Sequence, residues 1–144
     1  MTNQVVEALN KLLANNYALY LKTQNFHWNV TGPNFKTLHL LFEEQYNDLL
    51  IANDEIAERI RALGVKVPAT FLVFSKNTDI KDGREDLAAV DMVKELAADQ
   101  LIIIKSLKQV MAASNVIGDE VTAGYVIERI GVHEKASWML NSSI

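Results

Sequence analysis

Residues 26–61 contain two of the three histidines in this sequence, together with carboxylates that could bind a metal ion beside them. The candidate ligands are two imidazoles and three carboxylates, namely His27, His39, Glu43, Asp54 and Glu58. Imidazole and carboxylate ligands without thiolate suit iron or another divalent metal of intermediate hardness, and they suit calcium poorly. This stretch therefore predicts a metal site with redox chemistry on iron.

Four of these residues share one face of a predicted helix. They are His39, Glu43, Asp54 and Glu58. Counting about 100° per residue from the first of them, the four fall within an arc of about 100°. The apolar stripe of the same helix lies between about 260° and 300°, and it consists of Phe42, Leu49, Ile56 and Ile60. A helix with an apolar face for its own bundle and a separate face of metal ligands suggests that the second face meets a partner.

These four residues cannot all serve one metal ion within one chain. His39 and Asp54 are fifteen positions apart, which is about 22 Å along a straight helix, whereas the ligands of one ion lie within a few ångströms of it. Two copies of the helix, packed antiparallel about a two-fold axis, would bring the His39 end of one against the Asp54 end of the other. His27 joins them because a hairpin at Thr31-Gly32-Pro33 sets it at a similar height on the adjacent helix.

The predicted site is therefore built from two subunits and occurs twice in each dimer. One subunit supplies His27, His39 and Glu43, and its mate supplies Asp54 and Glu58. The Glu-x-x-His motif that builds a di-iron site inside one ferritin-like bundle does not occur in this sequence. An ordinary di-iron centre within one bundle is therefore disfavoured.

Other titratable residues receive no chemical role in this interpretation. We interpret His133 as a hydrogen-bonded structural residue, because a lone histidine on a helix is usually one. We interpret Glu44, Glu55 and Arg59 as surface or interface charges.

Apolar residues recur at helical spacing in four long segments, which predicts an all-α fold. The segments run from about 3 to 28, about 34 to 63, about 85 to 113 and about 120 to 140. Residues 64–86 join the second segment to the third and contain an apolar knot at Phe71-Leu72-Val73-Phe74. We expect a crossover with a short helix there, whose aromatic residues cover a hydrophobic surface on this subunit or on a partner. One long crossover is typical of a ferritin-like four-helix bundle.

The composition narrows the function classes. The 144 residues suit one domain, 1–144, with a sizeable core. The net charge of −4 and the scattered Lys and Arg residues lack the basic footprint of a nucleic-acid binder. The sequence has no cysteine, which excludes disulfides and thiolate metal sites. Because we find no signal peptide and no apolar run long enough to span a bilayer, we expect a soluble, cytoplasmic protein.

The stretch HWNVTGPNFKTLHLLFEEQYNDLLIANDEIAERIRALG resembles the signature of the Dps family, the mini-ferritins. That signature comprises His-Trp-Asn, Gly-Pro-x-Phe, a second His and Asp-x-x-x-Glu-Arg. The resemblance covers nearly the whole chain, including Lys135 and Trp138 near its end. It implies a dodecameric shell that oxidises Fe(II) with hydrogen peroxide or dioxygen, at sites that hold two iron ions between subunits, and stores ferric mineral inside.

The family's ligand positions match this sequence almost completely. His27, His39, Asp54 and Glu58 match directly, while Glu43 stands where many members have Asp. Trp28 matches a tryptophan beside the family's metal centre, where it could take up stray oxidising equivalents.

Two departures from the family pattern bear on DNA and on iron entry. Many DNA-binding members carry a Lys/Arg-rich amino-terminal tail, whereas Lys11 is the only basic residue among the first twenty here. Direct DNA binding is therefore not expected. The family often lines its iron-entry pore with acidic residues, and here Gly124 stands at the last position of that run, so Asp119, Glu120 and Glu128 are the candidates.

Two alternatives stay open: a DNA-protecting or structural shell with an incidental metal site, and a simple dimeric bundle with no shell.

Overall fold

The computed structural model describes residues 2–144, with side chains from residue 4 onwards. It contains five helices: α1 (Thr2–Asn29), α2 (Phe35–Ala62), α3 (Phe71–Asn77), α4 (Ala89–Ile117) and α5 (Glu120–Asn141). The described residues form no strand. The prediction of an all-α, ferritin-like bundle of four long helices, with a short helix in the crossover between the second and the third, is confirmed.

A tight hairpin joins α1 to α2 and sets the two helices side by side. Gly32 has a φ of 112°, which favours glycine because residues with a Cβ atom are strained at this backbone angle. Phe35 then donates its backbone N–H to the Gly32 carbonyl at 3.1 Å and opens α2. The α2 helix ends at Ala62, and Gly64, just beyond its C-cap Leu63, again takes a positive φ of 91°. The hairpin therefore lies where the sequence predicted it.

The short helix α3 covers part of α1. Thr70 caps it by accepting a hydrogen bond from the Val73 backbone N–H at 3.1 Å. Phe74 stacks on Tyr17 of α1 with ring centroids 5.0 Å apart, whereas Phe71 remains 78% exposed. The aromatic residues of the crossover thus cover this subunit in part.

The boundaries of α4 differ from the prediction by four residues at each end. The sequence predicted a helix over 85–113, but the chain forms a turn at residues 85–86, and Ala88 has an extended ψ of 150°. At the other end, Gly118 takes the left-handed conformation that closes a helix, so α4 continues to Ile117. Asp119 then caps α5 by accepting from the Thr122 backbone N–H at 3.0 Å.

The core lies between the four long helices and includes buried charged side chains, among them Lys22 and Asp99. Its largest fully buried side chains include Phe26, Phe42, Leu96 and Leu107. Lys22, which is 5% exposed, bridges α1 to α4 through Asp99 at 2.9 Å and Glu95 at 3.0 Å. None of the helices in the described range combines the length and the apolar character that a membrane crossing requires.

Candidate metal centre

The last turn of α1 and the first turns of α2 place two histidines against each other. The rings of His27 and His39 are stacked, with centroids 3.7 Å apart and planes inclined by 16°. His27 is 6% exposed, and His39 is half-buried. The prediction that the hairpin sets these two residues at one height is confirmed.

Each histidine is held by the backbone of the other. The Nδ1 atom of His27 lies 2.7 Å from the His39 carbonyl oxygen, and Nδ1 of His39 lies 2.7 Å from the His27 carbonyl oxygen. Because a carbonyl oxygen can only accept a hydrogen bond, both Nδ1 atoms carry the proton. The proton-free nitrogen of each neutral ring is therefore Nε2, the atom that a metal ion requires.

Two aromatic side chains enclose the histidine pair. Phe35 stacks on His39 with ring centroids 5.0 Å apart, and Tyr46 meets His27 edge to face at 5.2 Å. Neither residue was among the predicted site residues. Tyr46 lies seven positions after His39, which is about two turns along the same side of α2, so its spacing carried a usable signal.

Asp54 and Glu58 form a second cluster, one turn apart on the exposed face of α2. The pKa of Glu58 is raised, first by a side-chain hydrogen bond with Asp54 and then by the negative charge of Asp54. Two carboxylates that share a proton repel each other once both are ionised, and a bound cation removes that repulsion. This pair therefore has the chemistry of a cation-binding half-site.

Within one chain, the two histidines lie together and the carboxylates Asp54 and Glu58 lie together, but the histidine pair and the carboxylate pair are separate. Within residues 2–144, no group of three or more His, Asp or Glu side chains is placed to hold a metal ion. Glu43 is half-buried one turn after His39 and does not complete such a group. The assignment of all five residues to one site between subunits therefore stays a prediction.

Trp28 lies on the outer surface of α1, with 63% of its surface exposed. It borders a groove of about 520 Å³ between α1 and the crossover, which we call the α1–α3 groove. Tyr17, Phe71 and Phe74 also line this groove. Trp28 thus follows His27 in the sequence but points toward a different surface from the Phe35 and Tyr46 rings.

The third histidine is structural, as predicted. His133 is 2% exposed; its Nδ1 donates to Gln100 Oε1 at 2.6 Å, and its Nε2 accepts from Arg129 at 2.9 Å. Burial, followed by the positive charge of Arg129, lowers the pKa of His133 to about 3. Asp48 in turn accepts two hydrogen bonds from Arg129, at 2.9 and 2.8 Å. This network joins α2, α4 and α5, and no pattern within a single helix predicts it.

Arg59 is a tether between helices, which corrects its interpretation as a surface or interface charge. Its Nε donates to Thr122 Oγ1 at 2.9 Å, and its Nη2 donates to Asp119 at 3.3 Å. Burial pushes the pKa of Asp119 upward, but hydrogen bonds from Thr122 and Arg59 hold it below its usual value. The Asp119 carboxylate is thus engaged within the chain, whereas Glu120 and Glu128, the other pore candidates, are exposed. Glu44 and Glu55 are also exposed, as predicted.

A family model and individual relatives of this chain point to the same protein family. The ferritin-like domain family matches residues 6–144. General stress protein 20U of Bacillus subtilis is 35% identical over 142 residues, with 99% of this chain and 98% of the relative covered. DNA protection during starvation protein 2 of Bacillus anthracis is 37% identical over 142 residues, with 99% and 97% covered.

Solved structures agree with these relatives. The Dps protein from Bacillus brevis superposes with a TM-score of 0.94 at 35% identity, covering 98% of this chain and 95% of that one. The Vibrio cholerae Dps protein, described as a member of a superfamily of ferritin-like diiron-carboxylate proteins, has a TM-score of 0.94 at 33% identity, covering 98% and 89%.

Proposed function

This chain belongs to the Dps family of ferritin-like proteins, and we propose on that basis that it is a ferroxidase that stores iron. It oxidises Fe(II) with hydrogen peroxide or dioxygen at sites between subunits. The ferric product accumulates as mineral inside a dodecameric shell in the cytoplasm. Two Fe(II) ions and one peroxide consume two protons and yield two Fe(III) ions and two water molecules.

The observation that carries this proposal is the crossed pair of hydrogen bonds between His27 and His39. Both bonds are 2.7 Å long and fix the proton of each ring on Nδ1. A stacked histidine pair needs no such shared tautomer for packing alone, whereas a metal site needs both Nε2 lone pairs. The neutral nitrogens suit Fe(II), the substrate ion.

The carboxylates of the mate complete the proposed site. Asp54 and Glu58 are exposed on the face of α2 opposite the bundle stripe, so a second copy of α2 can reach them. Oxygen ligands favour the harder Fe(III) product over Fe(II). The proposed site thus combines histidines that receive the substrate with carboxylates that stabilise the product, and Glu43 adds a third carboxylate beside the histidines.

Stopped-flow absorbance tests the reaction. Anaerobic protein loaded with Fe(II) and mixed with hydrogen peroxide should develop ferric absorbance rapidly. Joint substitution of His27→Ala and Asp54→Ala should slow this at least about tenfold, since even residues that only support metal ligands change affinity by about that factor. Glu55→Gln is the matched control, because Glu55 lies between Asp54 and Glu58 in sequence and is also exposed. An unchanged rate in the double variant would refute the site assignment.

Protection of DNA by the shell is the second candidate function. It is favoured by the name of the Bacillus anthracis relative, a DNA protection during starvation protein. It is opposed by the net charge of −4. A gel-shift assay at low salt separates the two: tight binding that weakens steeply with salt would favour DNA contact, since salt dependence reports released counterions. We expect no shift.

A further inference from the structure

Three of the four tyrosines form a continuous series of ring contacts that begins at the histidine pair. Tyr46 meets His27 at a centroid distance of 5.2 Å. Tyr20 meets Tyr46 at 6.0 Å, and Tyr17 meets Tyr20 at 5.7 Å. The series ends at the α1–α3 groove, which Tyr17 lines. It thus connects the proposed metal centre to a separate surface of the subunit.

The hydroxyl groups of this series make few hydrogen bonds within the chain. Only that of Tyr20 has a hydrogen bond within the described part of the chain, a long one of 3.5 Å from Gln24 Nε2. The ring packing would be served equally by phenylalanine, and the half-buried side chains leave their hydroxyls to solvent. What a phenol adds to a ring is the capacity to give up one electron and one proton.

The fourth tyrosine has a different setting. Tyr125 lies on α5, where its hydroxyl donates to Glu55 at 3.3 Å. Burial, as the largest cause, raises the pKa of its phenol. No ring contact joins Tyr125 to the series among the described residues. The chain therefore contains its own comparison between tyrosines in the series and a tyrosine outside it.

We propose that Tyr46, Tyr20 and Tyr17 form a redox relay that supplies the second electron when peroxide meets a site holding a single Fe(II) ion. This inference rests on the proposed ferroxidase function. Hydrogen peroxide needs two electrons, and one Fe(II) ion supplies only one, which would leave a hydroxyl radical. With the relay, one Fe(II), one tyrosine, one peroxide and one proton yield one Fe(III), one tyrosyl radical and two water molecules.

The relay moves the oxidised position away from the metal centre. Tyr46 is oxidised first because it contacts His27; it then takes an electron from Tyr20 and regains a proton, and Tyr20 is restored in the same way by Tyr17. None of the three side chains is fully buried, so solvent can accept and return the phenolic protons. The radical ends beside the α1–α3 groove, and the histidines are spared oxidation.

Freeze-quench electron paramagnetic resonance tests this relay on the full assembly. Samples loaded with one or with two Fe(II) ions per site are mixed with hydrogen peroxide, and ferric absorbance is recorded on the same samples. The relay predicts a larger tyrosyl signal at one Fe(II) per site than at two, because the second ion removes the need for an electron from the protein. Unspecific Fenton chemistry would instead give a signal that grows with iron.

Conservative variants then locate the radical. Tyr46→Phe keeps the ring packing and should remove most of the tyrosyl signal, while Tyr17→Phe should leave a signal whose hyperfine pattern differs from that of the unsubstituted protein. Tyr125→Phe, the matched control, should leave both intensity and pattern unchanged.

The outcomes separate failure of the relay from failure of the proposed function. Normal ferric absorbance with an undiminished tyrosyl signal in Tyr46→Phe would overturn the relay alone, as would a tryptophanyl signal in place of the tyrosyl one. Absence of ferric absorbance in the unsubstituted protein would overturn the proposed function, and the relay with it.

Discussion

Acidification from pH 7 to pH 5 should weaken the bundle through one buried side chain, His133. Its pKa falls from an ordinary value of 6.5 to about 3 in the folded protein, because burial and Arg129 disfavour the imidazolium. Over this pH range, the His133 side chain therefore binds a proton in the unfolded chain but not in the folded chain. The stability contributed by neutral His133 is fully present above pH 6.5 and is lost progressively as the pH falls toward 3.

The size of this loss follows from the two pKa values. Each pKa unit corresponds to about 1.36 kcal/mol. At pH 7, proton binding by His133 in the unfolded chain lowers the free energy of unfolding by only about 0.2 kcal/mol. At pH 5, the same proton binding lowers the free energy of unfolding by about 2 kcal/mol. The contribution of His133 to this pH change is therefore about 2 kcal/mol.

Urea unfolding at pH 7 and pH 5, at one fixed protein concentration because the protein assembles, measures this difference. The variant His133→Gln is the reference, since glutamine can still accept from Arg129 and has no titrating group. All other titrations are common to both proteins. The unsubstituted protein should lose about 2 kcal/mol more than the variant over this interval. Equal losses would show that His133 is not held neutral by its surroundings, and the assigned Gln100–His133–Arg129 network would be wrong.

Three further predictions follow from single positions. Gly118→Ala should lower the free energy of unfolding by about 1 kcal/mol, because the left-handed φ of 72° penalises a side chain even with open space around it; urea titration measures this, and an unchanged midpoint would contradict it. Glu43→Ala should lower the amount of Fe(II) bound per subunit in anaerobic titration calorimetry, whereas Glu44→Ala, its exposed neighbour, should not; equal isotherms would remove Glu43 from the site. The native mass by light scattering should be that of a dodecamer, and a dimer mass would refute the shell.

Local signals in the sequence were sufficient to predict that the four long helices exist and that the two histidines are paired. The spacing of His27 and His39 about the Gly32 turn determines their heights on adjacent helices, and the hairpin places those two helices side by side. The carboxylates Asp54 and Glu58 were likewise found because they lie one turn apart on a single helix. Each of these features depends on residues close together in the chain or on one regular element.

Contacts between elements distant in sequence were not accessible in this way. Arg59 reaches Asp119 across sixty positions, and Asp48 reaches Arg129 across eighty-one. Nothing in the periodicity of one helix specifies which charge on another helix it will meet. The start of α4 was predicted four residues too early. Glu85 and Asp86 favour a helix start locally, but the chain forms a turn at these residues and α4 begins only at Ala89.

Mixed assembly of two inactive variants tests the central claim, a site shared between subunits, most directly. One variant carries His27→Ala and His39→Ala, and the other carries Asp54→Ala and Glu58→Ala. Each alone should be inactive, but when the two are co-assembled in equal amounts, about a quarter of the sites should combine intact histidines with intact carboxylates. A site shared between subunits predicts recovery of about that fraction of peroxide-dependent ferroxidase activity. No recovery, from a mixed assembly shown by mass spectrometry to contain both chains, would contradict it.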